Sequence, residues 1–279
     1  MATLTSTVDD YVAVARIADS TARRHAWAEQ YEAAHPEVFE VYYKHWGKTE
    51  NRVHAADSAP DLSPVIQDRE RRVRRLLDGT EKELRTQGLV EDGIDTVLLV
   101  GGHTSNGWVA EFRGRPTLFL ALEFLPEPPF DQVLALHEGM HVVHHRLSDL
   151  GAWPETIGAA LFAGGFAVAA TRQLALNLED TAYLWFDDDH EPWVQRCCTD
   201  SKAIRSFALN SFDQPNLNDR SRGLFTQHPL PGNLLPRCGY WLGDQMISRW
   251  IADGRTLRDL GLMTANEALS ATRDWLETS

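Results

Sequence analysis

The sequence is poor in cysteine, in basic charge and in long apolar runs, and each scarcity excludes a class of protein. Its three cysteines are an odd number without metal-ligand spacing, which argues against a disulfide framework and favours a cytoplasmic location. A formal charge of -13 argues against a nucleic-acid-binding protein, which would normally need a basic surface. The N-terminus lacks the basic start and apolar run of a secretory signal. The richest apolar run, residues 157–170, is too short to span a membrane.

The remaining composition is that of an ordinary globular protein. Hydrophobic residues make up 43% of the 279 residues and charged residues 24%. This length allows one large domain or two small ones. We expect a helical N-terminal region over residues 1–90 and a catalytic domain over residues 91–279, which could also form one continuous domain. Oligomeric state cannot be read from the sequence.

The most informative segment is His137-Glu138-Gly139-Met140-His141, a His-Glu-x-x-His motif. Residues four apart lie on the same face of a helix, so His137 and His141 can present two imidazoles to one metal ion. Glu138 lies beside that ion, where its carboxylate can accept a proton from a bound water. The motif is typical of zinc peptidases and predicts Zn²⁺ as the cofactor.

The context of the motif favours a buried helix. Pro128, Pro129 and Asp131 form a plausible helix start. Apolar residues cover most of the circumference up to Leu147, so the histidines are polar exceptions in an apolar setting. Such a cluster requires partners, and a metal ion is the natural one. The alternative is a histidine-rich core helix whose imidazoles are satisfied by hydrogen bonds.

The periodicity of the chain predicts an α+β fold. Residues 8–47 are expected to be helical, residues 50–62 a polar connector, and Ser63 and Thr80 the starts of two further helices. Residues 96–100 are predicted to be a strand, followed by a glycine-rich loop at 101–107 and a hairpin of 108–112 with 117–124. Helical patterns then dominate: 131–147, 155–178, 234–251 and 265–277. A helical lead-in thus precedes a small mixed sheet, the motif helix and a helical C-terminal half.

This order of elements resembles the gluzincin branch of the zincin metallopeptidases, in particular poorly characterised bacterial zinc proteases of that branch. The likeness covers residues 95–250 and depends on the glycine-rich loop, on His137-Glu138-x-x-His141 and on Tyr240-Trp-Leu-Gly243. It implies zinc on His137 and His141, with Glu138 as general base. It also implies that residues 117–124 form an edge strand that holds an extended peptide by β-augmentation.

The chain departs from this family at the third metal ligand. Gluzincins take that ligand from a glutamate on the second helix, and the corresponding position here is Gly164. No Asp, Glu or His occurs between residues 156 and 178, so the second helix cannot supply a ligand at that level. Glu155 is about 13 Å away along the helix axis at 1.5 Å per residue.

Several side chains remain as candidates to complete the site. His144 and His145 follow His141 by one turn, and His103 lies on the glycine-rich loop. The acidic segment after residue 186 could fold back and donate a carboxylate or an imidazole. Otherwise water or a substrate group completes the coordination. The side chains of the acidic segment that could bind the metal are those of Asp187, Asp188, Asp189 and His190.

We therefore expect a zinc-dependent hydrolase that acts on peptide or amide bonds. Glu138 would deprotonate the attacking water, and Tyr240 would stabilise the oxyanion if its helix folds back over the cleft. Tyr240 could instead be a core aromatic. A different possibility is a non-peptidase zinc enzyme, such as a lyase or cyclase, that acts on a small metabolite. A degenerate zincin that only binds a partner is the third, although retention of Glu138 speaks against it.

Overall fold

The computed structural model describes residues 2–148, 155–174 and 177–278. Within these residues, four short strands form the sheet. The strands are β1 (Leu4–Ser6), β2 (Thr96–Leu99), β3 (Gly107–Phe112) and β4 (Arg115–Ala121), in the order β1-β2-β4-β3. β2 is parallel to β1 and to β4, whereas β3 and β4 form an antiparallel hairpin. Arg113 and Gly114 both have positive φ, as a two-residue hairpin turn requires. The predicted mixed sheet and α+β class are confirmed.

The expectation that the strand at residues 117–124 lies at the edge of the sheet was wrong. β4 ends at Ala121, and its backbone is hydrogen-bonded to β2 on one side and to β3 on the other. Its polar groups are therefore occupied, and no peptide can be added there. Residues Leu122–Phe124 form a 3-10 turn instead. Strand order depends on which segments meet in space, and the local pattern of β4 carries no such information.

The N-terminal residues form more and shorter helices than the sequence suggests, and the helix that follows them is longer than predicted. Residues 8–47 contain α1 (Val8–Ala15), α2 (Ser20–Ala26) followed by a π-helical segment (Trp27–Glu32), and α3 (Pro36–His45). The residues predicted to be helical from Ser63 and from Thr80 are helical, but the connector predicted at 50–62 and the break before Thr80 were wrong, because one helix, α4 (Arg52–Thr86), runs through both prolines and Gly79.

Tertiary contacts explain why α4 continues past its helix breakers. Pro60 has no N–H, which frees the Ala56 carbonyl four residues earlier, and Arg23 Nε donates to that oxygen at 2.7 Å. The buried face also keeps its helical period on both sides of the prolines and Gly79. Burial of that face outweighs the local preference for a turn. The buried apolar positions are Ala55, Ala56, Ala59, Ile66, Val73, Leu77 and Leu84.

The chain divides into two compact units. The first holds residues up to Lys82 together with Glu91–Glu127, and the second holds Glu83–Val90 and the chain from Pro128 onward. The sheet thus groups with the N-terminal helices, whereas the sequence analysis assigned residues 91–127 to the same domain as the motif helix. In the first unit, Tyr31 connects a helix to the sheet, because its hydroxyl donates to the Val100 carbonyl and accepts from the Val100 N–H.

The second unit is helical throughout its described part. α6 (Ile157–Leu174) lies at its centre and packs against α5 (Phe130–Leu147), α10 (Cys238–Ala252), α11 (Leu257–Gly261) and α12 (Ala265–Thr278). The shorter helices are α7 (Asp180–Trp185), α8 (Glu191–Thr199) and α9 (Ser201–Asn210). α6 is long and apolar enough to cross a membrane, but 83% of it is buried, as in a core helix.

Two glycines allow α6 and α10 to cross with their backbones in contact. A Cβ on Gly165 would lie 2.3 Å from the Gly243 carbonyl carbon, and a Cβ on Gly243 would lie 2.4 Å from the Leu161 oxygen. Neither position can therefore carry a side chain without moving a helix. Arg172 on α6 strengthens the same pair of helices through its ion pair with the buried Asp244 on α10, at 2.8 Å.

We predict that Gly243→Ala destabilises the protein by about 1–3 kcal/mol, because the added methyl overlaps backbone atoms that cannot yield as a flexible side chain would. The measurement is denaturant unfolding followed by tryptophan fluorescence.

Gly79→Ala is the matched control. Gly79 lies inside α4, and a Cβ there meets nothing within 4 Å. Alanine should therefore stabilise by up to about 1 kcal/mol through helix propensity alone. Equal behaviour of the two variants would contradict the tight crossing, and destabilisation by Gly79→Ala would contradict a continuous α4.

Candidate functional site

The motif residues lie on α5, the helix predicted for residues 131–147. Its burial is nearly complete from Val133 to His144, with only His141 partly exposed. Asp131 in the first turn and basic residues in the last turn suit the helix dipole. The side chains of His137 and Glu138 are thus held by packing on all sides, while His141 keeps contact with solvent.

The two motif histidines present their Nε2 atoms to each other. These atoms are 3.3 Å apart, and the rings are nearly perpendicular at 81°. Burial lowers the pKa of His141 to about 4 and that of His137 well below its ordinary value, with the neighbouring His141 and Arg237 adding to the effect. Both rings are therefore neutral at pH 7, and a neutral imidazole nitrogen is the form that binds a metal.

Glu138 is a buried carboxyl group beside this pair. Burial raises its pKa to about 7, and the positive charge of Arg237 opposes the rise. In the described part of the chain no hydrogen bond to its carboxylate is present. A carboxyl group that titrates near neutral pH can exchange a proton with a reacting group at little cost.

Tyr240 lies against Gly164, the position that the resemblance to gluzincins equates with their third ligand. Its ring lies against Gly164, where an added Cβ would be 3.2 Å from two ring carbons. The same ring packs edge-on against His137, with centroids 6.1 Å apart. The absence of a side chain at Gly164 thus leaves room for the Tyr240 ring. Burial raises the pKa of Tyr240, so its hydroxyl keeps its proton at neutral pH.

Arg237 and Phe186 also reach the site, and the sequence reasoning missed both. Arg237 is the N-cap residue of α10, and its guanidinium carbon lies 5.0 Å from the centre of the Tyr240 ring. Phe186 follows α7 and packs edge-on against His137 at 5.4 Å. Both have left-handed backbones, with φ of 65° and 61°. Neither residue is a usual metal ligand, and the signal in the sequence was that Arg237 lies three residues before Tyr240.

Among the described residues, no third ligand joins the two histidines. Within residues 2–148, 155–174 and 177–278, no group of three His, Cys, Asp or Glu side chains could hold a metal ion. The Nδ1 atom of His137 is buried and has no hydrogen-bond partner there. The site as described therefore offers two neutral nitrogen donors, one adjacent carboxyl group, one phenol and one guanidinium.

The histidines that follow the motif face other surroundings. His144 is buried between Phe162 and Phe166 of α6, with ring centroids 5.4 and 5.0 Å away. Burial lowers its pKa to about 3, so it is a neutral core residue. His145 is partly exposed, and Glu155 is exposed. None of these side chains contacts His137.

The acidic segment approaches the site through an aromatic ring instead of a carboxylate. Asp187 accepts from His190 Nδ1 at 2.8 Å, and the imidazole of His190 stacks on Trp185 at 4.0 Å. Asp188 and Asp189 are exposed. Phe186, which directly precedes this segment, contacts the motif histidine His137.

Comparisons of the chain with protein-family models, with curated proteins and with solved structures find no match. The resemblance to gluzincins therefore depends on the motif and stays a prediction.

The glycine-rich loop lies in the first unit, where it surrounds a buried carboxylate. Glu123 Oε1 accepts from the N–H groups of Gly101 at 2.9 Å and His103 at 3.3 Å, while Oε2 has no partner among the described residues. Burial raises the pKa of Glu123 to about 7. The His103 ring packs near His54 and Phe124 of the same unit.

This carboxylate predicts a pH-dependent stability. Because the folded pKa is about 7 and the ordinary value is 4.5, the folded state retains a proton that the unfolded state has lost. Glu123 should therefore contribute a fall in stability of on the order of 3 kcal/mol as pH rises from about 4.5 to about 7. Glu123→Gln should reduce the fall measured in unfolding experiments by about that amount, and Glu138, whose pKa is also raised to about 7, contributes to the fall that remains. Glu127→Gln, at an exposed carboxylate of the same unit, should leave the wild-type fall unchanged. Parallel slopes in all three proteins would contradict the assignment.

Proposed function

We propose that the chain is a metal-dependent hydrolase of peptide or amide bonds that uses the zincin motif with an altered ligand set. The observation that carries the proposal is the 3.3 Å between the Nε2 atoms of His137 and His141. Two nitrogens bound at 2.0–2.1 Å to a tetrahedral zinc ion are also about 3.3 Å apart. Both imidazoles are neutral, as ligands must be.

The donor set fits a zinc ion in part. His137 and His141 would hold it, and water or a substrate group would complete the coordination, since the ring of Tyr240 occupies the space beside Gly164. Among the described residues, His137 Nδ1 has no hydrogen-bond acceptor of the kind that metal-binding histidines usually have. When bound, zinc would polarise the substrate carbonyl and lower the pKa of a coordinated water.

The chain's own residues supply the remaining chemistry in this proposal. Glu138 in its ionised form accepts the proton of the attacking water, and its pKa near 7 suits that role close to neutral pH. The protonated Tyr240 hydroxyl donates a hydrogen bond to the oxygen on which negative charge develops. Phe186 and Tyr240 cover His137 from two directions and limit the access of bulk water.

A second candidate is a non-peptidase enzyme, of lyase or cyclase type, that acts on a small metabolite. The observation in its favour is the contact of Tyr240 with Gly164, which replaces an anionic ligand by a neutral ring. A metal held by two neutral imidazoles stays more electron-poor than one with a carboxylate ligand. It could then take a bidentate small molecule. Activity on small carbonyl compounds without activity on peptides would favour this second candidate.

We predict that the purified protein binds zinc near stoichiometrically and that His137→Ala and His141→Ala abolish this binding, because each removes one of the two nitrogen donors. The measurement is elemental analysis after dialysis, with affinity from competition against a chromophoric chelator. His190→Ala is the control, because its imidazole is engaged by Asp187 and Trp185. Absence of zinc from the wild-type protein would overturn the proposal.

Tyr240→Phe should lower kcat by about 100-fold, the typical effect of removing one oxyanion donor. Zinc content and thermal stability should stay close to wild type, because the ring that packs on Gly164 is kept. The measurement is steady-state kinetics on a peptide or amide substrate obtained by screening. Unchanged kcat would exclude the oxyanion role, and loss of zinc would indicate that the phenol is a ligand.

A further inference from the structure

Arg237 is held in the site by contacts that leave much of its hydrogen-bonding capacity unused. Its Nη2 donates to the Leu184 carbonyl at 2.9 Å, and its guanidinium carbon lies 4.7 Å from the Trp185 ring centre and 5.0 Å from that of Tyr240. Its Nε is buried without a hydrogen-bond partner in the described part of the chain. A guanidinium has five N–H donors, so most of them remain available.

Among the described residues, no carboxylate forms an ion pair with Arg237, and the charges of Glu138 and Asp187 act on its guanidinium from a longer distance. The nearby Asp187 already accepts from His190 at 2.8 Å and from the Asp189 N–H at 3.1 Å. Burial lowers the pKa of Arg237, although the charges of Glu138 and Asp187 oppose this lowering.

An unpaired, partly desolvated cation costs free energy unless a ligand supplies the opposite charge. Arg237 is nevertheless kept beside the motif pair by two aromatic rings and a left-handed backbone, a conformation that is uncommon for a long side chain. Strained residues that tertiary contacts maintain are frequent where ligands bind.

We propose that Arg237 forms a carboxylate-binding subsite and that the ligand is an organic acid with a planar or aromatic group beside its carboxylate. The guanidinium fork matches the two oxygens of a carboxylate. The rings of Trp185, Phe186 and Tyr240 supply apolar surfaces for the rest of the ligand. As a statement about substrate, this inference rests on the proposed function. As a statement about binding, it is independent of any metal.

The test compares benzoate with benzamide, two probes of the same shape that differ in charge. Binding is measured by calorimetry on protein dialysed against a chelator, so that a bound metal cannot hold the carboxylate. Wild-type protein should bind benzoate about ten-fold or more tighter than benzamide, and Arg237→Gln should remove that preference. Arg249→Gln is the matched control, since Arg249 is exposed on the same helix and pairs with Asp253.

Two results would overturn the inference: equal or unsaturable binding of the two probes to wild-type protein, and a benzoate preference that persists in folded Arg237→Gln. Should Arg237→Gln fail to fold by circular dichroism, Arg237→Lys decides. A lysine keeps the charge without the fork, so benzoate affinity should fall severalfold, and an unchanged affinity would contradict the subsite. A zinc titration of the same protein separates the two proposals. Failure to bind zinc would contradict the proposed metal site, whereas a benzoate preference measured without metal would still support the Arg237 subsite.

Discussion

The close crossing of α6 and α10 at Gly165 and Gly243 is the constraint on which the candidate site depends. Without side chains at these positions the two backbones touch, and Tyr240, one turn before Gly243, is carried against Gly164. The same ring then meets His137 of α5. The buried ion pair of Arg172 with Asp244 holds the crossing from the other side. Packing of three helices thus decides which side chain faces the motif.

This packing gives the site an unusual charge balance. Beside the two histidines lie the ring of Tyr240 and, three residues earlier, the guanidinium of Arg237, which is the N-cap residue of α10. The charges of Glu138 and Asp187 both act on Arg237, although neither forms an ion pair with it among the described residues. A site with neutral imidazoles and an unpaired cation favours an anionic ligand over a neutral one.

Predictions from the sequence succeeded where local patterns carry the information. The hydrophobic patterns of α5 and of the hairpin are local, and both elements formed, although the hairpin turn holds two residues instead of the four between the predicted strands. The prediction for α4 failed because the Ala56 carbonyl, freed by Pro60, finds Arg23 more than thirty residues away. The edge assignment of β4 failed because the pairing partner β2 is chosen by topology. Both failures come from long-range contacts that a local window cannot contain.

By itself, the sequence determined the α+β class, the motif helix with His137, Glu138 and His141 four residues or fewer apart, and the absence of an acid on α6. Helical periodicity and side-chain chemistry are sufficient for these. Tertiary structure alone decided that the two Nε2 atoms approach to 3.3 Å, that Tyr240 fills the space above Gly164, and that Arg237 joins them. Those features depend on how helices from distant parts of the chain pack, and packing is a property of surfaces in three dimensions.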